Sequence, residues 1–194
     1  MTKIKQPPGV FCPVITPYNS NLDIDLNRLT FQCNWLVKQN VGITLFGTTS
    51  EANSLSIEEK IKILNHLKEK KFDFQKILIG TGCCALPDTV RLTSYANYLD
   101  CLGCLLLPPF YYKNITDEGI YQSIAETISR VREDSLRLYL YHIPHISGVS
   151  FSINLIEKLL KNFEQSIAGI KDSSGDWQNT ENMLRQNWNN FKIY

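Results

Sequence analysis

No apolar run in these 194 residues extends beyond a handful of positions. A helix that crosses a membrane needs roughly 20. Charge of one sign is equally scarce. Lys plus Arg number 20 against 19 Asp plus Glu, the formal net charge is +1, and no basic block occurs. Nothing therefore steers the chain toward nucleic acid or an anionic membrane. The opening Met1-Thr2-Lys3-Ile4-Lys5-Gln6-Pro7-Pro8 has no apolar core of the kind a secretory signal needs, so a cytoplasmic location is expected. No linker, low-complexity tract or internal repeat interrupts the sequence, which reads as one domain over 1–194.

Metal-binding spacing is also missing. The six cysteines are Cys12, Cys33, Cys83, Cys84, Cys101 and Cys104. Without a secretory signal they are expected as thiols. Cys101-Leu102-Gly103-Cys104 is a C-x-x-C, but zinc wants two further ligands and no second C-x-x-C or H-x-x-x-H exists. The motif closes a helix and opens a strand, the reverse of the thioredoxin arrangement. His142 and His145 are three apart in an extended segment, face opposite ways and make a poor metal pair; each is expected as a hydrogen-bonded structural histidine. No zinc site is read from this spacing.

What is present is a strict alternation. Short apolar runs suited to strands lie at 10–16, 42–47, 76–82, 104–108, 136–143, 167–171 and 191–194, with amphipathic segments at 26–39, 57–70, 87–100, 117–132, 153–163 and 177–187. Ser56 with Glu59 spells a capping box, and Ser152 can cap the fifth helix. Alternation with continuous apolar strands implies an α/β fold on a parallel sheet. Both an open doubly wound sheet and a (β/α)8 barrel fit it. In either, chemistry gathers at the strand C-termini. A nucleotide-binding sheet would need a Gly-rich loop after the first strand, where Thr16-Pro17-Tyr18 stands.

The unusual residues do sit at strand ends. Ile167-Ala168-Gly169-Ile170 runs directly into Lys171, then into the turn Asp172-Ser173-Ser174-Gly175-Asp176. A strand-end lysine against an apolar wall is partly desolvated, which disfavours the ammonium form, and a neutral amine can form a Schiff base with a ketone. The plainer alternative is a lysine that ends a strand and points into solvent. Gly47-Thr48-Thr49-Ser50-Glu51 offers two hydroxyls and several backbone N–H groups that could cradle a carboxylate, or simply cap a helix. Pro108-Pro109-Phe110-Tyr111-Tyr112 stiffens another strand end, and Tyr141 follows Leu140 at a third, where a phenol can carry protons. An amine, a phenol and a hydroxyl-lined cradle suit Schiff-base chemistry on a 2-oxo acid.

At these residues the chain resembles the dihydrodipicolinate synthase / N-acetylneuraminate lyase family of class I aldolases. The matching motifs are Pro13-Val14-Ile15-Thr16-Pro17, Gly47-Thr48-Thr49-Ser50-Glu51, Pro109-Phe110-Tyr111-Tyr112, Tyr141-His142-Ile143-Pro144 and Gly169-Ile170-Lys171-Asp172-Ser173-Ser174-Gly175-Asp176, in family order. The resemblance implies a (β/α)8 TIM barrel, here about the first six βα units and the start of strand 7, with the C-terminal units missing. It implies a homotetramer of tight dimers, with no metal and no organic cofactor. Lys171 would form the Schiff base with pyruvate or a pyruvate-derived 2-oxo acid, and an aldehyde would be the second partner. Tyr141 would carry protons, Thr49 would bind the carboxylate, and Thr48 would link Tyr141 to a second tyrosine, best matched by Tyr111 with Tyr112 as substitute. In the family that tyrosine reaches across the tight-dimer interface. Three departures stand out: Ser50 replaces a usual glycine, His142 a usual asparagine, and Ile146 the arginine that the synthase branch uses for its aldehyde's carboxylate. Ile146, within Pro144-His145-Ile146-Ser147-Gly148-Val149 that resembles the neuraminate lyase branch more closely, favours a lyase on a sugar-derived or other 2-oxo acid. A second reading is a catalytically inactive remnant that binds a 2-oxo acid or a related subunit.

Overall fold

The computed structural model describes residues 9–194. Met1–Pro8, the basis of the location reading, lie outside the described residues. The chain divides into two compact units, one taking the described residues up to Gly80 with Tyr95–Gly103, the other Thr81–Ser94 with Cys104–Tyr194.

The first unit is built on three short parallel strands: β1 (Phe11–Pro13), β2 (Gly42–Leu45) and β3 (Ile77–Gly80). Phe11 pairs with Gly42 and Ile43 with Ile77, so chain order is pairing order. β2 and β3 are buried at every position, as continuous apolar strands covered on both faces should be. Helix α1 (Leu26–Lys38) starts where the Asp25 side chain accepts from the Arg28 N–H and buries Leu29, Cys33 and Leu36. Helix α2 (Ile57–Glu69) begins on the capping box expected from the sequence: Ser56 accepts from the Glu59 N–H, and Glu59 accepts in return from the Ser56 N–H. Such a cap is worth about 1 kcal/mol.

The second unit carries β4 (Gly103–Leu106), β5 (Leu138–His142), β6 (Ile167–Asp172) and β7 (Lys192–Ile193), parallel in every pair. Helix α3 (Leu86–Tyr98) runs from this unit back to the first. Helices α4 (Asp117–Val131), α6 (Ile153–Phe163) and α7 (Trp177–Arg185) follow the strands, and a four-residue α5 (Pro144–Ser147) stands directly after β5. α6 begins at Ser152, whose hydroxyl accepts from the Leu155 N–H, and buries Leu155, Ile156 and Leu159. On α4 the inner face is Ile120, Ile124, Thr127 and Val131. Thr127 is tolerated there because its hydroxyl donates to the Ser123 carbonyl.

The expected helices agree with these to within two residues at each end. The strands are shorter than expected except β6, which runs one residue further, to Asp172. β2 stops at Leu45 because Phe46 turns into the left-handed region at φ +58°. Cys101 and Cys104 are buried thiols at the α3–β4 junction, which is the orientation read from the sequence. Among the described residues no helix is long and apolar enough to cross a membrane.

Candidate active site

Tyr141 and Lys171 stand opposite each other in register on β5 and β6. Side chains alternate across a strand, so Tyr139 and Tyr141 share a face with Gly169 and Lys171, while Leu140, His142, Ile170 and Asp172 take the other. The consequence is a contact: the Lys171 Nζ donates to the Tyr141 hydroxyl at 3.1 Å and lies 4.1 Å from the centre of its ring. The ammonium or amine thus rests on the phenol's π face and its oxygen together. Tyr141 is 3% exposed, and Lys171 is half-buried.

Gly169 makes room for this pair. A Cβ there would meet the Tyr139 ring at 2.9 Å and the Lys192 carbonyl. Only a residue without a side chain lets Tyr139 lie across β6, two positions before Lys171. Burial pushes the Tyr139 phenol up, and burial with the neighbouring Tyr139 pushes Tyr194 to about 12. These rings are apolar wall rather than acid–base groups.

The opposite face holds the strand ends still. Asp172 accepts from the Ser174 N–H at 2.9 Å, the Asn179 amide at 3.1 Å and the Thr180 hydroxyl at 2.7 Å. Burial acts to raise its pKa, but these hydrogen bonds outweigh it and hold the carboxyl below its ordinary value. The carboxylate is thereby turned to α7, and Lys171 has a phenol rather than an anion beside its nitrogen. His142 is buried and accepts the Phe151 N–H on Nδ1 at 3.0 Å; burial lowers its pKa against the opposing pull of Asp172. It is the structural histidine the sequence suggested. His145 and Ile146 are exposed on α5.

Tyr111 and Tyr112 project from the loop between β4 and α4, edge to face with ring centres 5.2 Å apart, 69% and 77% exposed. The structure brings this pair together with each other and leaves both at the surface.

In the first unit, Thr48 and Thr49 are exposed on the turn after β2. Three of the turn's N–H groups are spent inside it: Ser50 and Ala52 donate to the Gly47 carbonyl, and Glu51 to that of Thr48. Those amides are therefore not available to an anion, and the hydroxyls of Thr48 and Thr49 are what would hold one. Ser50, which stands where the family usually has glycine, constrains the turn by hydrogen bonding. Its buried hydroxyl donates to the Val14 carbonyl, and its own carbonyl accepts from Thr16 at 2.7 Å. The turn is thus tied to the end of β1. The φ angles of +58° and +56° fall on Phe46 and Glu51, not on Ser50. A buried phenylalanine in the left-handed region is strained, and such strain collects at functional sites. Gly80 accommodates it, because a Cβ there would fall on the Phe46 carbonyl.

Sequence reasoning missed Gly80, Gly169 and the Asp172 hydrogen bonds. A glycine inside a strand is a local sign of close backbone approach and could have pointed to the first two.

Residues 6–194 match the model of the dihydrodipicolinate synthetase family. The chain is 31% identical over 191 residues to an uncharacterised DapA-like lyase of Chloroflexus aurantiacus, covering 97% of this chain and 63% of that protein. It is 30% identical over 178 residues to the 4-hydroxy-tetrahydrodipicolinate synthase of Karelsulcia muelleri, covering 91% and 58%. The chain therefore spans less than two thirds of the length of either relative. Among solved structures, the dihydrodipicolinate synthase of Agrobacterium tumefaciens superposes with a TM-score of 0.90 at 26% identity over 96% of this chain and 66% of that one. The 2-keto 3-deoxygluconate aldolase of Picrophilus torridus gives 0.85 at 25% identity, over 96% and 65%. The fold is accordingly that of a (β/α)8 barrel, present in part, and the open-sheet alternative is set aside. With the family model spanning nearly every residue and the strand-end lysine and tyrosine in contact, the chain belongs to the dihydrodipicolinate synthetase family of lyases and synthases.

Proposed function

We propose that this protein is a class I aldolase that holds pyruvate, or a pyruvate-derived 2-oxo acid, as a Schiff base on Lys171. One observation carries the reading: the Lys171 Nζ lies 3.1 Å from the Tyr141 hydroxyl. The free amine attacks the ketone carbon, and the C–N bond forms as the carbonyl π pair moves to oxygen. A proton passes from nitrogen to that oxygen, and a second, given by the phenol, lets the carbinolamine hydroxyl leave as water, which yields an iminium and a phenolate. Tyr141, buried beside the nitrogen, is placed to carry both of these protons. For cleavage, the deprotonated phenol takes the proton of the C4 hydroxyl. The C3–C4 bond breaks, its electron pair flows into the iminium, and an aldehyde leaves an enamine on Lys171. Protonation at C3 and attack by water then release pyruvate. Thr49 as carboxylate ligand, and Thr48 with Tyr111 as the rest of the proton path, belong to the same proposal. So does an oligomer built from tight dimers.

Ile146 favours a sugar-derived acid over aspartate semialdehyde. It is 55% exposed on α5 and offers the aldehyde's carboxylate no cation, where an arginine would bind it bidentately. The test is incubation of the purified protein with pyruvate and borohydride, followed by peptide mapping, together with turnover assays on a 2-keto-3-deoxy sugar acid and on pyruvate with aspartate semialdehyde. The adduct is expected on the peptide containing Lys171, with the sugar acid the better substrate. An adduct elsewhere, or none, removes the Schiff-base assignment. Faster condensation with the semialdehyde removes the substrate preference. An adduct on Lys171 without any turnover identifies a binding protein.

A further inference from the structure

We infer that Lys113 is a positioning residue: it staples the loop that carries Tyr111 to the segment that follows Tyr141. The inference rests on the aldolase reading above. The Lys113 Nζ donates to two backbone carbonyls, Phe110 within its own loop and, at 2.8 Å, Ser147 at the end of α5. The second bond joins points 34 residues apart. The Ser147 carbonyl is one of those left over at the C-terminus of α5, and the Phe110 carbonyl lies in the irregular loop beyond β4, where no strand or helix supplies a donor. An ammonium has three N–H groups and makes charge-assisted bonds, roughly twice as strong as neutral ones.

The receiving side is shaped for it. Gly148 sits at φ +66°, where other residues are strained, and a Cβ there would come 3.1 Å from the Lys113 Cδ and 3.4 Å from its Nζ. The lysine stem lies along the glycine, close enough that a Cβ would press on it. Ser147 is itself fixed: its buried hydroxyl accepts from the Val149 N–H and has the Ile143 and Val149 carbonyls within reach of its one proton. α5 follows β5 after a single residue, so the staple ends at Ser147, six residues beyond Tyr141 of the Tyr141–Lys171 contact. Phe110 and Lys113 bracket Tyr111 and Tyr112. Tethering both ends of that span holds the outward tyrosines in one orientation while the rings themselves have little burial to hold them.

A small misplacement of a group can cost up to about a hundredfold in rate. The test compares Lys113→Met, which keeps the stem but no donor, and Lys113→Arg, which keeps the charge and the donors. Three quantities are read on the folded proteins: amide hydrogen exchange of residues 109–116, solvent exchange of the pyruvate methyl protons, and borohydride trapping at saturating pyruvate. Methyl exchange needs enamine formation and proton transfer, whereas trapping needs only the iminium. For Lys113→Met the loop amides should exchange at least about tenfold faster and methyl exchange should fall about tenfold or more, with trapping within about twofold of the parent. Lys113→Arg should recover part of the methyl-exchange rate. Unchanged loop amides, an unchanged methyl-exchange rate, a parallel loss of trapping, or no recovery with arginine each overturns the inference. Should the parent protein trap no pyruvate, the aldolase reading fails instead, and the amide exchange alone decides whether Lys113 holds the loop.

Discussion

On β5 and β6 a single alternation of side chains does two jobs. Tyr141 and Lys171 meet on one face, and on the other His142 and Asp172 are spent on hydrogen bonds that fix the strand ends. The phenol can be tested by removing one atom. Tyr141→Phe keeps the buried ring, so the protein should fold as before, while the oxygen beside Lys171 is lost. General acid–base groups contribute about 10²–10⁴ in rate, and turnover should fall by that range. Borohydride trapping of pyruvate should fall less, because slower proton transfer delays the iminium without removing the nucleophile. Turnover equal to that of the parent would take Tyr141 out of the mechanism. Lys171 and Tyr141 were legible in the sequence because each directly ends an apolar run. Lys113 was not, since no local pattern says that an ammonium will find a carbonyl 34 residues away.

At the scale of elements, the helices were legible nearly to the residue because caps and apolar periodicity are local signals. Ser56 with Glu59 and Ser152 mark their helix starts without reference to the rest of the chain. Strand ends depend on partners distant in sequence. β2 was expected to run to Gly47, yet Phe46 leaves it at φ +58°, and the room for that departure is made by Gly80 on β3. Gly80→Ala therefore tests whether the strained turn matters. A Cβ at this position strikes backbone rather than a side-chain tip, so the Phe46 carbonyl must move and the turn bearing Thr48 and Thr49 with it. Overpacking of this kind costs about 1–3 kcal/mol. A chain of this size should lose about 2–4 °C of melting temperature for each kcal/mol. Pyruvate trapping should also need a higher concentration. A variant with the parent's melting temperature and the parent's concentration dependence would show that the turn tolerates the change and that its strain is incidental.

At the scale of the molecule, the fold class followed from alternation alone, but alternation left the barrel and the open sheet equally good. The family motifs chose between them, and the superposition at a TM-score of 0.90 agrees with that choice. The assembly is a matter of chemistry that one chain does not display. Tyr111 and Tyr112 are large aromatic rings left 69% and 77% exposed on the loop between β4 and α4. If Tyr111 completes the proton path of another subunit, two inactive variants can repair each other. Tyr111→Phe keeps Lys171 but supplies no relay hydroxyl, whereas Lys171→Met supplies the hydroxyl but has no amine. A mixed dimer then contains one site with the lysine from one chain and the tyrosine from the other. Co-expressing the two variants with different tags and purifying through both should yield activity that neither shows alone. Within a single chain no such repair is possible, because each subunit would lack one of its own two groups. Mixed oligomers that form and remain inactive would place the tyrosine in the same chain as its lysine, or outside the reaction altogether. Full activity in the Tyr111→Phe protein by itself would pass the relay role to Tyr112, and the same pairing with Tyr112→Phe would then show which chain supplies it.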